Sequence, residues 1–167
     1  METKLIATVR PADLADADRI AAIYNEGIFD RIATFETRER TREEVAAWLG
    51  DPHYPVLVSQ LNGEVIAWAA ASSYRPRECY SGIAEFSIYV AREARGHGVG
   101  RPLLEAFLAA CEAAGFWKVV SRVFPENLAS RALLTACGFR EVGVYENHAM
   151  LDGEWRDVII VERLIAV

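Results

Sequence analysis

Apolar residues recur along this chain in two rhythms, and each change of rhythm marks an element. Ala17, Ile20, Tyr24 and Ile28 keep helical spacing, which predicts an amphipathic helix after Arg10-Pro11, with a short strand over residues 5–9 before it. Residues 30–38, containing Thr34 and Phe35, fit neither rhythm. Thr41 and Glu44 stand three apart just ahead of Val45 and Trp48, a capping-box start for a second helix. Strand-like runs over 55–60 and 64–71 flank Asn62-Gly63, a dipeptide suited to the positive φ of a type I′ turn, so they predict a hairpin. Residues 85–90 alternate for most of their length and read as a strand, followed by a glycine cluster. Val99, Leu103, Phe107, Leu108 and Cys111 then predict a helix over about 100–114, with Pro102 in the first turn where its missing N–H costs nothing. A strand over 118–123 leads to a helix over 127–137, with Ala129, Ala132, Leu133 and Ala136 on one face and Gly138 as its stop. Strands around 140–145 and 156–164 close the chain. Antiparallel strands followed by strand–helix units predict one α/β domain over residues 1–167, a mixed sheet covered on both faces.

Composition narrows the classes. A hydrophobic fraction of 52% with 25% charged residues is that of a globular domain. No apolar run approaches the roughly 18 residues that cross a membrane, so no membrane partner is expected. The start, Met-Glu-Thr-Lys-Leu-Ile-Ala, lacks the features of a secretion signal, and a cytoplasmic location is expected. Cys79, Cys111 and Cys137 have no metal-type spacing, and His53, His97 and His148 are scattered, so no metal is expected. A net charge of −6 disfavours nucleic acid. The densest basic stretch, Arg92 to Arg101, interleaves arginines with glycines and suits a small phosphorylated ligand better.

That stretch carries the most chemistry. Arg95-Gly96-His97-Gly98-Val99-Gly100-Arg101 follows a strand and opens a helix, so backbone N–H groups can converge on an anion at the positive helix end. A Walker loop would need Gly-Lys-Ser/Thr, which is absent; a dinucleotide fingerprint would need G-x-G-x-x-G, and the spacing is G-x-G-x-G. Arg95, Gly98 and Gly100 instead fit R/Q-x-x-G-x-G/A, the pyrophosphate loop of the GNAT acetyltransferases.

From Arg10-Pro11 to Leu164 the chain resembles the phosphinothricin-acetyltransferase-like branch of that superfamily. The resemblance rests on the loop together with Ile23-Tyr24-Asn25, Thr34-Phe35-Glu36, Glu85-Phe86-Ser87-Ile88-Tyr89-Val90, Pro125-Glu126-Asn127-Leu128-Ala129-Ser130 and Gly153-Glu154-Trp155-Arg156-Asp157-Val158, all in the family's order. It implies a GNAT-type mixed, mostly antiparallel sheet whose central strands splay apart to admit acetyl-CoA as co-substrate. Ile88, Tyr89 and Val90 would pair with the pantetheine arm. Amides of Arg95, Gly96, His97, Gly98, Val99 and Gly100 would hold the pyrophosphate, and Arg101 would add charge. Asn127 would bond the pantetheine, with Ser130 one turn on; Asn127 also reads as an ordinary N-cap, and both can hold.

On the acceptor side, period two puts Glu85, Ser87 and Tyr89 on one strand face. The resemblance makes Glu85 the general base that takes a proton from the attacking amine. An ordinary carboxylate is a weak base toward an ammonium, so burial or a relay water has to help. The same likeness lines the acceptor pocket with Phe35, Tyr74, Arg75, Arg77, Tyr80 and Trp155. Guanidinium pairs bidentately with a carboxylate, which points to the α-amino group of a small amino acid or analogue such as phosphinothricin, methionine sulfone or methionine sulfoximine. A homodimer is also implied. The chain departs from the family at Gly82-Ile83, at Ala149-Met150-Leu151, and at Leu134, where many members carry a tyrosine that protonates the leaving thiolate. A bound water would take that role. Acetylation of a protein or polyamine, and a non-catalytic acyl-CoA sensor, are the alternative readings.

Overall fold

In the computed structural model, which describes residues 6–166, the first strand is β1 (Thr8–Pro11). It starts and ends later than the sequence suggested, and Leu5 lies outside the described residues. From within β1, Arg10 donates to both carboxylate oxygens of Asp16, at 2.8 and 2.9 Å, and the Asp13 N–H donates to the same group at 2.8 Å. Asp16 is 7% exposed, and the Arg10 hydrogen bond foremost holds its carboxyl below the usual range. A lowered folded pKa means that this tie stabilises the fold above the ordinary carboxylate range and is lost as pH falls through the folded value.

Helix α1 (Ala17–Asp30) buries Ile20, Ile23 and Ile28, and α2 (Arg42–Leu49) starts at the expected capping box. Thr41 Oγ1 accepts from the Glu44 N–H at 3.2 Å, and the Glu44 carboxylate accepts from the Thr41 N–H at 2.8 Å. Strands β2 (Val56–Leu61) and β3 (Glu64–Ser73) form the hairpin, with Asn62 at φ 51° and Gly63 at φ 80° supplying the turn.

The rest of the chain alternates: β4 (Ile83–Val90), α3 (Gly100–Ala113), β5 (Lys118–Val123), α4 (Leu128–Ala136), β6 (Arg140–Leu151) and β7 (Glu154–Leu164). One seven-stranded sheet runs β1-β2-β3-β4-β5-β7-β6. Every pairing is antiparallel except β4 with β5, the pair joined by a crossover through α3. Helices cover both faces. Tyr24 of α1 meets Trp68 and Tyr89 edge-on at 5.6 and 4.9 Å between ring centroids, while Phe86 packs against Phe107 of α3 at 5.5 Å on the other side. Successive strand residues point to opposite faces, so Phe86 and Tyr89 go to different layers.

Two expectations are corrected. Strand β6 runs on to Leu151, well past Tyr145, because it follows β7 through the turn at Asp152-Gly153. The face of α4 is also rotated: Ala129, Ala132 and Ala136 are exposed, Leu133 is partly buried, and Leu134 packs inward at 3% exposure. Alanines bury little apolar area whichever way they face, so a single leucine outweighs the stripe.

Candidate active site

The site begins where β4 and β5 part. Their parallel pairing runs from Ile83↔Lys118 to Glu85↔Val120 and stops there. Ser121 Oγ closes the join by donating to the Phe86 carbonyl at 2.9 Å. Beyond it, residues 86–90 of β4 face an opening of about 400 Å³, walled on the far side by α4 and ending at the start of α3. The splay is thus present in the fold itself.

The opening suits a phosphorylated, extended ligand. Gly96 and Gly98 adopt φ of 77° and 76°, values at which a side chain would be strained. Helix α3 has no side-chain cap at Val99 and no acidic residue in its first turn, which leaves its first amides for an anion. Ile88, Tyr89, Val90, Arg95, Gly96, Gly98, Val99, Gly100 and Arg101 all line the opening, as do Asn127 and Ser130; His97 does not. Asn127 is the N-cap of α4, its Oδ1 accepting from the Ser130 N–H at 3.2 Å, while its Nδ2 donates to the Ile32 carbonyl at 3.3 Å. Arg101 donates to Glu105 at 2.9 Å from a largely exposed position.

A second cavity of about 430 Å³ lies on the other side of the splay and shares Ser87, Ser121 and Arg122 with the first. Glu85 opens into it, with Phe35, Tyr74 and Arg75 in its walls. The Arg75 guanidinium lies over the Tyr74 ring at 5.0 Å, a cation–π contact that leaves its N–H edge available. Phe35 is held edge-on by Phe124 at 5.0 Å, so the segment the sequence left irregular is the wall between the two cavities. Burial pushes the phenol of Tyr89 upward, so it stays neutral.

Not every expected residue converges. Arg77 sits over Tyr80 at 5.9 Å, and neither lines the cavity; Trp155 is 59% exposed on β7. In their place stands Arg122, whose guanidinium is 4.0 Å from the Glu85 carboxylate. The only signal for it in the sequence was an arginine inside the short central strand 118–123, between Ser121 and Val123. Glu36 and Glu162 also reach this cavity but are neutralised, Glu36 by Arg40 at 2.7 Å and Glu162 by Lys118 and Arg140. Leu134 lines the first cavity, buried, with no proton to give. The departure at Gly82 has a steric reason, because a Cβ there would lie 2.0 Å from the Trp117 ring. Cys111 is fully buried and its thiol is pushed up to about 12 by burial, so it is a core residue.

Comparison with known proteins agrees with this geometry. The model of the Acetyltransferase (GNAT) family matches residues 20–139. The phosphinothricin N-acetyltransferase of Alcaligenes faecalis is 34% identical over 160 residues, covering 93% of this chain and 81% of the relative. An L-methionine sulfoximine/L-methionine sulfone acetyltransferase of Pseudomonas paraeruginosa is 31% identical, covering 93% of each chain. The structure of a GNAT superfamily phosphinothricin acetyltransferase from Sinorhizobium meliloti in complex with AcCoA superposes with a TM-score of 0.88 at 33% identity, over 96% of this chain and 89% of that one. With a splayed sheet, a glycine loop at a helix start and these relatives, the chain belongs to the GNAT family of acetyltransferases, enzymes that take their acetyl group from acetyl-CoA.

Proposed function

We propose that this enzyme acetylates the α-amino group of a small amino acid or analogue, of the phosphinothricin or methionine sulfone and sulfoximine kind. One observation carries the reading: a single cavity joins a carboxylate, Glu85, to the guanidinium groups of Arg75 and Arg122, and opens onto the cofactor cleft. Acetyl-CoA, when bound, supplies the acetyl group as a thioester. Glu85 takes the proton of the attacking amine, directly or through a water. Arg75 and Arg122 receive the acceptor's carboxylate, which sets the amine's position. A backbone N–H near Tyr89 or Val90, on the β4 edge that β5 leaves free, steadies the charge that develops on the carbonyl oxygen. The proton for the departing thiolate comes from water, since Leu134 has none to give.

The neutralised state of Glu36 and Glu162 argues against a polyamine, which would need free acidic groups. Val142, Val144, Tyr145, Met150 and Trp155 are about half exposed along β6 and β7, and this strip supports a homodimer that covers it. A monomer mass by light scattering would remove that part of the proposal. We place the reaction in the cytoplasm, and no helix among the described residues is long and apolar enough to cross a membrane.

The acceptor assignment has a direct test. A guanidinium–carboxylate pair in a partly desolvated site contributes roughly 1.5–3 kcal/mol. Methyl esters or amides of a good substrate are therefore expected to lose about ten- to a hundredfold in kcat/KM. Arg75→Ala should erase most of that difference by lowering the rate on the free acid alone. Equal rates on acid and ester in the wild type would end the amino-acid reading.

A further inference from the structure

The sequence motif assigns the Arg95 amide to the cofactor's phosphates, while its guanidinium is tied to the protein through two of its nitrogens. Nη1 bonds Asp30 at 2.7 Å, and Nε donates to the Val90 carbonyl at 3.2 Å. Asp30 holds a second arginine with its other oxygen, Arg92 Nη2 at 2.8 Å. One turn earlier on the same helix face, Glu26 accepts from the Arg92 backbone N–H at 2.7 Å. That N–H opens the short 3₁₀ turn Arg92–Ala94, whose capping position, Ala91, has no side chain able to bond it. Glu26 of α1 therefore supplies the cap that the loop lacks.

Acidic residues at a helix C-terminus meet the negative end of the macrodipole and are disfavoured there without cations. Asp30 sits in that position in α1 with Glu26 one turn before it, and both are satisfied by the segment that leads into the glycine loop. Between them stands Gly27, where an added Cβ would lie 2.5 Å from the Tyr89 ring. The absent side chain lets α1 press against the end of β4, close enough for both carboxylates to reach the loop. Arg92 first and Arg95 second hold the Asp30 carboxyl below the usual range, consistent with a permanent anion at only 19% side-chain exposure.

We infer that Asp30 is a positioning residue for cofactor binding, fixing the segment from Arg92 to Arg95 so that the glycine-loop amides are already aimed when the pyrophosphate arrives. Asp30 lines neither of the two cavities. Its contribution is pre-organisation: ordering that the loop would otherwise undergo on binding is completed during folding. Arg95 belongs to the same device, with its amide left for the ligand and its side chain used to hold the loop.

The test compares two ligands that differ in the pyrophosphate end. Calorimetric Kd values for CoA and for pantetheine, which lacks that end, are measured in wild type, Asp30→Asn and Arg95→Lys, and need no turnover. Loop residues left unordered in the free protein must be ordered by the ligand, at the expense of its affinity. Asp30→Asn should thus weaken CoA by about ten- to a hundredfold. Pantetheine affinity should stay within about twofold, and Arg95→Lys, which keeps the ion pair, should fall between. Backbone amides of residues 92–98 should also exchange hydrogen faster in ligand-free Asp30→Asn, with those of α3 beyond its first turn unchanged. Unaltered CoA affinity, or equal weakening of CoA and pantetheine, would overturn the inference whatever amine the enzyme acetylates.

Discussion

Glu85→Gln is expected to lower kcat by about 10²–10⁴-fold, the usual effect of losing a general base. Glutamine keeps the size and one oxygen of glutamate but cannot accept a proton at neutral pH. The change is confined to the acceptor side, because Glu85 lines the second cavity and not the cofactor cleft. CoA affinity should therefore stay as it is while turnover falls. Arg122 would lose its carboxylate partner at 4.0 Å, but it is 47% exposed and water can take over. Stability should accordingly change little, which separates a catalytic effect from a structural one. A Gln variant within about twofold of wild type at saturating amine would place the base elsewhere.

Gly98→Val should act on the opposite half of the site. At φ 76° valine, branched at Cβ, is forced into a conformation that costs about 1–3 kcal/mol. Its side chain also stands at the cleft wall, where it keeps the pyrophosphate from the loop amides. Charge-assisted hydrogen bonds of that kind contribute about 1.5–3 kcal/mol together with the dipole. The combined loss is expected to weaken CoA by roughly a hundredfold or more in Kd. Calorimetry is again the measurement. Unchanged affinity would mean that the cofactor does not use this loop.

Much of the molecule could be read from residue pattern alone, for identifiable reasons. The Thr41–Glu44 box and the Asn62-Gly63 turn are local devices whose geometry depends on a few adjacent residues, and both formed as expected. The cleft beside the glycine loop was legible because such a loop between strand and helix leaves a contiguous signature. The second cavity is different. It is assembled from residues 33–36, the segment just after β3, and β4, β5, β6 and β7, so no short stretch carries it. Arg77 and Tyr80 stand close to Arg75 and Tyr74 in sequence, yet the turn at Glu78–Tyr80 carries them off the cavity. Arg122 is more than thirty residues from Glu85 and meets it only through the β4–β5 register. The face of α4 was ambiguous because alanine or leucine at six of its nine positions allows more than one apolar stripe.

The central claim is acetyl transfer to the α-amine of a small, carboxylate-bearing amino acid. Its most direct test is one competition reaction, with acetyl-CoA and equal amounts of methionine sulfone, phosphinothricin, their methyl esters, spermidine and a short peptide with a free N-terminus, read by mass spectrometry of the products. The account predicts N-acetylated free acids as the dominant products, with the esters about ten- to a hundredfold behind and little acetylated spermidine or peptide. Acetylated spermidine or peptide in excess of the free acids would contradict it.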